Sequence, residues 1–259
     1  MTGGFSGKKV AITGAAGGIG RMLGRVFGEE GATILALDKS DKVHAFVDEL
    51  TASGIPAEAA RVDISQAEAV AKAFELLGEV DVLVNNAGYS FHPTLAATDP
   101  AGWQSDMQGN LGGAYACAHA VLPGMVARRS GSIVNVGSVN ALHALGDPAY
   151  SAAKAGMIAM TKAIAMEYGR YGIRANIVLP GTVRTPLWEQ RAAKDPKVLE
   201  TLQRWYPLGR IVDPIEVARV VLFLASDAAS AVTGVALPVD CGLTAGNIVM
   251  SRELTLEPF

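Results

Sequence analysis

The chain has 259 residues, of which half are hydrophobic and 18% are charged, and its formal net charge is −3. A chain of this length can bury a sizeable core without metals or crosslinks, and its two signs of charge are interspersed, which argues against a nucleic-acid partner. The apolar runs are too short for a membrane span, the first residues lack a signal-peptide pattern, and Cys117 and Cys241 lack ligand-like spacing, so we expect a metal-free cytoplasmic protein with free thiols.

Short apolar segments alternate with segments of helical periodicity along the whole chain. Continuous apolar runs are typical of strands covered on both faces, as in a parallel sheet. The predicted strands are 8–13, 32–38, 59–64, 80–86, 131–138, 173–181 and 234–240. The clearest predicted helices are 18–30, 65–77, 100–128, 148–171 and 213–225. This order predicts one doubly wound α/β domain over residues 1–259, with a parallel β-sheet of about seven strands and helices on both faces.

Two segments interrupt the alternation of strands and helices. Residues 184–212 are polar and contain three prolines together with Trp188, Trp205 and Tyr206. We predict that this segment is a helical insertion that covers a site. Residues 243–259 form a C-terminal tail with no clear strand or helix pattern, and it is predicted either to reach over a neighbouring subunit's pocket or to fray.

The first predicted strand runs into a glycine-rich turn, TGAAGGIG, at residues 13–20. Its glycines, Gly14, Gly18 and Gly20, permit a tight turn and a close approach of the backbone to a pyrophosphate, which the N–H groups of the following helix would face. The spacing is GxxxGxG rather than the more familiar GxGxxG. An ordinary loop between a strand and a helix is the alternative interpretation.

Asp38 at the end of the second predicted strand supports a nucleotide site. An acid at this place in a Rossmann-type fold binds both hydroxyls of an adenine ribose, and it would repel a phosphate on the 2′-hydroxyl. The sequence therefore predicts NAD as cofactor and makes NADP less favourable, although Lys39 would weaken that preference. The alternative role for Asp38 is that of a helix N-cap.

Tyr150 and Lys154 lie four residues apart in PAYSAAKAGM, a run of otherwise small residues. On a helix they share one face. A tyrosine acting as an acid or base at neutral pH needs its pKa lowered by roughly three units, or about 4 kcal/mol. An ammonium about 4 Å away supplies that much only where water is excluded. Ser138 would donate a hydrogen bond to a substrate oxygen; the alternative is a packed tyrosine with a solvated lysine.

These motifs together resemble the short-chain dehydrogenase/reductase family. They are TGAAGGIG, NNAG at 85–88, Asn110 in GNLGGAY, Ser138, YSAAK at 150–154 and PGTVRT at 180–185, in that order along the chain. The resemblance implies that Tyr150 is the general acid/base, that Lys154 lowers its pKa and holds the nicotinamide ribose, and that Ser138 steadies the substrate oxygen. It also implies that Asn110 holds a water linking Lys154 to solvent.

The same resemblance implies the contacts of the cofactor. Asp63 and Ile64 would lie beside the adenine, and Asn86 to Gly88 would lie along the adenine ribose. Without the resemblance, NNAG is equally well explained as a turn that ends a strand. The full set of predicted cofactor residues is Gly14, Gly18, Ile19, Gly20, Asp38, Asp63, Ile64, Asn86, Ala87, Gly88, Tyr150, Lys154, Pro180, Gly181, Val183 and Thr185.

The substrate pocket is expected between the segment after Thr185 and residues 89–94 and 139–147, with Ser138, Asn140 and Tyr150 as substrate contacts. We predict an NAD(H)-dependent oxidoreductase acting on a secondary alcohol or ketone, with a polyol, sugar or hydroxy acid as substrate. A 3-oxoacyl-thioester or steroid-type ketoreductase is the alternative, and an NAD-binding redox sensor without turnover is the alternative from another class. Helices 100–128 and 148–171 are apolar nearly all round, and the resemblance implies a homotetramer paired through them.

Overall fold

A seven-stranded parallel sheet forms the centre of the structure, a computed structural model that describes residues 4–195 and 197–257. The strand order is β3-β2-β1-β4-β5-β6-β7, with every neighbouring pair parallel. The strands are β1 (Lys9–Thr13), β2 (Thr33–Asp38), β3 (Ala57–Arg61), β4 (Val82–Asn85), β5 (Gly131–Val136), β6 (Ile173–Pro180) and β7 (Ala236–Val239). The predicted doubly wound α/β sheet is thus confirmed.

Helices cover both faces of this sheet. They are α1 (Gly18–Glu29), α2 (Lys42–Ala52), α3 (Ala67–Leu77), α4 (Pro100–Met107), α5 (Gly113–Arg128), α6 (Pro148–Tyr168), α7 (Pro186–Lys194), α8 (Lys197–Gln203), α9 (Pro214–Ala225) and α10 (Ile248–Thr255). One core layer includes Phe27 of α1, Phe46 of α2 and Val221 of α9. The other includes Phe74 of α3 and Met125 of α5. Both faces of each central strand are therefore buried, which explains their continuous apolar sequences.

Three predicted elements differ from the structure. Strand β3 ends at Arg61, and the apolar Val62 and Ile64 that suggested a longer strand are buried beyond its end. The predicted helix 100–128 is divided by a π-helical segment, Gln108–Gly112. The tail contains helix α10, which begins where the side chain of Asn247 accepts a hydrogen bond from the Met250 N–H.

A buried chain of polar groups ties α6 to the sheet. The Asn85 amide of β4 donates to the side-chain oxygen of Asn135 on β5 at 2.9 Å. The Asn135 amide donates in turn to the Thr161 hydroxyl of α6 at 2.8 Å. Because unpaired polar groups are costly in a core, these bonds specify which face of α6 meets the sheet.

Small residues let α6 approach its neighbours closely, as the sequence predicts. Ala149 and Ala153 are fully buried, and a Cβ on Gly156 would lie 2.7 Å from Leu111 Cδ2. Among the described residues, no helix is both long and apolar enough to cross a bilayer.

Candidate active site

A cleft of about 1170 Å³ opens where the strands end at their carboxyl side. The structure places eleven of the predicted site residues on its wall: Ile19, Asn86, Gly88, Ser138, Asn140, Tyr150, Lys154, Pro180, Gly181, Val183 and Thr185. Eight predicted residues do not line it: Gly14, Gly18, Gly20, Asp38, Asp63, Ile64, Ala87 and Asn110. Some of these eight support the wall residues through hydrogen bonds or close packing.

The glycine turn after β1 has no room for a side chain at Gly14 or at Gly20. Gly14 has φ +64, and a Cβ there would lie 2.9 Å from the Cα of Ala87. A Cβ on Gly20 would lie 2.1 Å from the Gly14 carbonyl oxygen. The N-cap of α1 is Gly17, which has no side chain to cap the helix. The first N–H groups of α1 are thus left for an anion, so the turn fits the pyrophosphate of a dinucleotide.

The NNAG segment braces the glycine turn. The hydroxyl of Thr13, at the end of β1, accepts from the backbone N–H groups of Asn86 and Ala87 at 3.0 Å each. The Asn86 side chain donates to the carbonyls of Thr13 and Gly14. The structural role of this segment is therefore evident. This role of Thr13 has no local signal in the sequence, because its hydroxyl lies within an apolar strand pattern.

The Asp38 side chain, at the end of β2, is hydrogen-bonded to the glycine turn and does not cap a helix. Its Oδ2 accepts from the Ala16 N–H at 3.0 Å, and its Oδ1 accepts from the Ser40 N–H at 2.8 Å. Helix α2 instead follows Asp41. The Lys39 ammonium lies 4.5 Å from the centre of the Tyr89 ring. The carboxylate of Asp38 is therefore held beside the turn that fits the pyrophosphate.

Asp63 and Ile64 follow the end of β3 and do not line the cleft. Asp63 is exposed, and its Oδ1 accepts from the Ser65 N–H at 3.0 Å. The Ile64 side chain packs so closely on α5 that a Cβ on Gly113 would lie 2.5 Å from its Cδ1. The side chain of Ile64 is thus committed to the core.

Ser138, Tyr150 and Lys154 meet in the cleft. Lys154 is only 2% exposed, and its Nζ donates to the Val136 carbonyl at 2.9 Å. This ammonium lies 5.4 Å from the centre of the Tyr150 ring. The Ser138 hydroxyl lies close enough to the Tyr150 phenol to lower its pKa. The end of β5 and the first turn of α6 thus bring the three polar groups together.

The pKa of Tyr150 differs from the expectation drawn from the sequence. Burial raises it above the ordinary value of a phenol, which outweighs the lowering by Ser138, and the charge of Asp147 raises it further. Burial also lowers the pKa of Lys154 to about 8. Both shifts have the same largest cause, because burial disfavours the charged form of each group. Without a further positive charge, the cleft keeps Tyr150 protonated.

Asn110 lies behind Lys154 in the π-helical segment. Its side chain donates to the carbonyls of Tyr89 and Asp106 at 2.8 Å each. A Cβ on Gly88 would lie 2.6 Å from Asn110 Oδ1 and 3.0 Å from Lys154 Nζ. The side chains of Asn110 and Lys154 therefore both approach Gly88, and a larger residue at position 88 would collide with both of them.

Asn140 and the insertion form other parts of the wall. The Asn140 amide donates to the Gly146 carbonyl and the Ser151 hydroxyl at 3.3 Å each, so local contacts already hold it. Trp188, Trp205 and Tyr206 of the predicted insertion line the cleft. Residues 243, 244, 246 and 247 of the tail line the cleft of their own chain.

Asp147 and Arg191 also line the cleft, and the sequence analysis did not single them out. Asp147 precedes Pro148 at a helix start, which is the pattern of an ordinary capping residue. Arg191 lies in a polar segment where a surface charge is unremarkable. In both cases, only the tertiary structure shows that the side chain faces the cleft.

We expect the substitution Lys154→Met to stabilise the protein below pH 8. The depressed pKa means that the folded state binds this proton less tightly than the unfolded state does, so its charge costs stability at low pH. The cost shrinks as the pH rises from about 8 toward the ordinary value of 10.5. The gain in the free energy of unfolding is at most about 3 kcal/mol, and the loss of the hydrogen bond to the Val136 carbonyl makes it smaller.

Urea unfolding at pH 7 and at pH 10 measures this effect. The free-energy gap between Lys154→Met and the original chain should be larger at pH 7. Lys162→Met, a change at an exposed lysine on the same helix, is the control. A gap independent of pH, or a variant clearly less stable at pH 7, would contradict the prediction.

Comparisons with known proteins agree with this geometry. A family model described as enoyl-(acyl carrier protein) reductase matches residues 14–244. An oxidoreductase of the short-chain dehydrogenase/reductase family from Burkholderia thailandensis is 52% identical, with a TM-score of 0.93 over 97% of this chain and 98% of that one. An uncharacterised oxidoreductase of Schizosaccharomyces pombe is 42% identical over 97% of this chain and 96% of its own length.

A third relative has been solved with ligands. It is a gluconate 5-dehydrogenase from Burkholderia cenocepacia in complex with NADP and tartrate, 34% identical with a TM-score of 0.87, over 93% of this chain and 97% of that one. From the family model, these similarities and the arrangement of Ser138, Tyr150 and Lys154, we conclude that the chain belongs to the short-chain dehydrogenase/reductase family of oxidoreductases.

Proposed function

We propose that the protein is an NAD(H)-dependent oxidoreductase that interconverts a secondary alcohol and a ketone. The observation that carries this proposal is the meeting of Ser138, Tyr150 and Lys154 in one cleft beside the glycine turn. The nicotinamide nucleotide, held by the turn, Asp38, residues 86–88 and residues 180–185, would supply the site that accepts or donates the hydride.

The three side chains divide the remaining work. Ser138 donates a hydrogen bond to the substrate oxygen. Tyr150 takes the hydroxyl proton during oxidation and returns it during reduction. Lys154 binds the nicotinamide ribose and favours the phenolate by its charge. Asn110, on the far side of Gly88, holds the water through which the proton reaches solvent.

The raised pKa of Tyr150 bears on the direction of the reaction. A protonated phenol suits reduction of a ketone, because it is ready to donate its proton. Oxidation requires the phenolate and therefore a further cation near the ring. An oxidised, positively charged nicotinamide bound beside Tyr150 would supply that charge.

Polar groups in the cleft support a polyol, sugar or hydroxy acid as substrate. Asn140, Asp147 and Arg191 line the cleft together with Ser138, and the gluconate 5-dehydrogenase is a relative of this substrate type by its name. The aromatic side chains of Trp188 and Trp205 on the same wall favour the alternative, an apolar 3-oxoacyl-thioester or steroid ketone.

The substitution Tyr150→Phe is expected to abolish turnover, with a loss of at least a thousandfold, because the phenol is the group that moves the proton. NADH binding, measured by fluorescence titration, should change by less than threefold. Tyr168→Phe makes the same change at the other end of α6 and should keep activity.

The activity assay is oxidation of secondary alcohols followed by NADH absorbance. Retained turnover in Tyr150→Phe would refute the acid/base role. Tight NADH binding without oxidation of any alcohol or reduction of any ketone would favour a redox sensor over an enzyme.

We propose NAD rather than NADP as the cofactor because of Asp38. Its carboxylate accepts from Ala16 at the glycine turn, where it would repel a 2′-phosphate. At about 5 Å and an effective dielectric near 20, this repulsion amounts to about 3 kcal/mol. Relatives of this chain have been solved with NAD and with NADP, so family membership does not decide the cofactor, and the proposed preference depends on Asp38.

Asp38→Ser should lower the ratio of kcat/KM for NAD to kcat/KM for NADP by roughly 100-fold. Asp41→Asn, which removes an exposed charge three residues further on, is the control and should leave the ratio within threefold. The proposal fails if the original chain prefers NADP, or if Asp38→Ser leaves the ratio unchanged.

We also propose a homotetramer in the cytoplasm. Tyr115 of α5 and Met166 of α6 are 58% and 85% exposed in the single chain, so pairing these helices between subunits would bury apolar surface. The free thiols of Cys117 and Cys241 support a reducing compartment.

Light scattering at micromolar concentration should give a mass about four times the chain's 26.9 kDa. Met166→Lys should lower that mass, because it places a charge in the proposed interface. Leu76→Lys, at another exposed apolar residue on α3, should not. The mass of a single chain would reject the tetramer, and an unchanged mass in Met166→Lys would reject pairing at this face.

A further inference from the structure

The backbone of Asp147 adopts an uncommon conformation. Its φ of 48 and ψ of 64 lie in the left-handed region, which few residues other than glycine, asparagine and aspartate occupy. It also precedes Pro148, and a residue before proline is normally driven toward extended conformations. Strain of this kind, of the order of 1 to 3 kcal/mol, persists only where surrounding contacts impose it, and it clusters at functional sites.

The contacts that hold Asp147 come from the segment after NNAG. Its Oδ1 accepts from the Ser90 hydroxyl at 2.7 Å, and its N–H donates to the Pro93 carbonyl at 3.1 Å. An aspartate at a helix N-cap usually accepts from the first turn of its own helix. Asp147 occupies the N-cap of α6 and makes no such bond. The carboxylate is therefore turned away from its helix.

The turned carboxylate lines the cleft and has unused acceptor capacity. Within residues 4–195 and 197–257, Oδ2 makes no hydrogen bond or ion pair. The cations on the wall are engaged elsewhere: Lys154 Nζ donates to Val136, and the Arg191 guanidinium stacks 4.7 Å from the Trp188 ring. Asp147 thus presents a free acceptor immediately before the helical turn that carries Tyr150.

We propose that Asp147 is a specificity-determining residue that accepts a hydrogen bond from a second substrate hydroxyl, next to the one oxidised, so that the substrate is a vicinal diol or polyol. This inference rests on the proposed function and narrows its substrate class. An ionised carboxylate accepts but does not donate. It therefore binds hydroxyl groups and repels the carboxylate of a 2-hydroxy acid.

The reaction on such a substrate is balanced by the groups already described. The C–H bond of one carbinol carbon breaks, and its hydride reduces the oxidised nicotinamide. The hydroxyl proton on that carbon passes to Tyr150 and then to solvent. The product is a hydroxyketone, which keeps the second hydroxyl and its bond to Asp147.

Matched substrates test this assignment. We expect the original chain to oxidise hexane-2,3-diol with a kcat/KM about 10- to 100-fold above that for hexan-2-ol, as expected for a hydrogen bond to a charged group. 2-Hydroxyhexanoate should be poorer than hexan-2-ol, because the Asp147 carboxylate repels its charge.

Asp147→Asn separates recognition from structure. The amide oxygen still accepts from Ser90, and asparagine tolerates the left-handed conformation, but the charge is gone. The preference for the diol should fall at least fivefold, mainly through KM. Asp48→Asn, at an exposed aspartate on α2, should keep the preference.

A second readout distinguishes a charge effect from a merely structural latch. Ser138 and Asp147 act on the Tyr150 phenol, Lys154 Nζ lies 5.4 Å from the ring centre, and His143 and Arg191 line the same cleft. The charge of Asp147 raises the pKa of Tyr150. In Asp147→Asn, the pH midpoint for oxidation of hexan-2-ol should therefore move to lower pH, whereas a latch alone would leave it in place.

Three results would overturn the inference: equal kcat/KM for the diol and hexan-2-ol, a preference for the hydroxy acid over the diol, or a diol preference unchanged in Asp147→Asn. If hexan-2-ol is oxidised in these experiments, the proposed function stands and only the assignment of Asp147 fails. If NADH binds and no alcohol or ketone reacts, the proposed function fails as well.

Discussion

Water is excluded from the ammonium group of Lys154, and the chemistry of the cleft depends on that exclusion. A cation near a phenol stabilises the phenolate strongly only in a medium of low dielectric. The structure buries Lys154 against β5, where its Nζ donates to the Val136 carbonyl. The same burial opposes both charges, as the raised pKa of Tyr150 and the lowered pKa of Lys154 show.

The surrounding fold holds the buried Lys154 and the neighbouring Tyr150 in place. The amide chain from Asn85 through Asn135 to Thr161 fixes α6 on the sheet, and alanines and Gly156 allow close contact. On the nucleotide side, Thr13 and Asn86 join the ends of β1 and β4. The reacting groups therefore stand on elements that packing and buried hydrogen bonds make rigid.

Much of this arrangement follows from the sequence. Apolar runs predicted the seven strands, and the helical spacing of Tyr150 and Lys154 placed both on one face of α6. The sequence did not reveal the π-helical segment at Asn110, because that segment depends on bonds to Tyr89, which is distant along the chain. Asp147 resembled an ordinary cap, since its left-handed backbone has no local signature. The effect of burial on the pKa of Tyr150 also required the packed structure.

The contact between Gly18 and Thr185 joins two parts of the cleft that are far apart in the chain. A Cβ on Gly18 would lie 3.0 Å from Thr185 Cγ2 and 3.3 Å from Pro186 Cδ, at the start of α7. A side chain at position 18 would therefore collide with the residues that begin the insertion carrying Trp188 and Arg191. Glycine at this position lets the phosphate side and the substrate side of the cleft pack directly against each other.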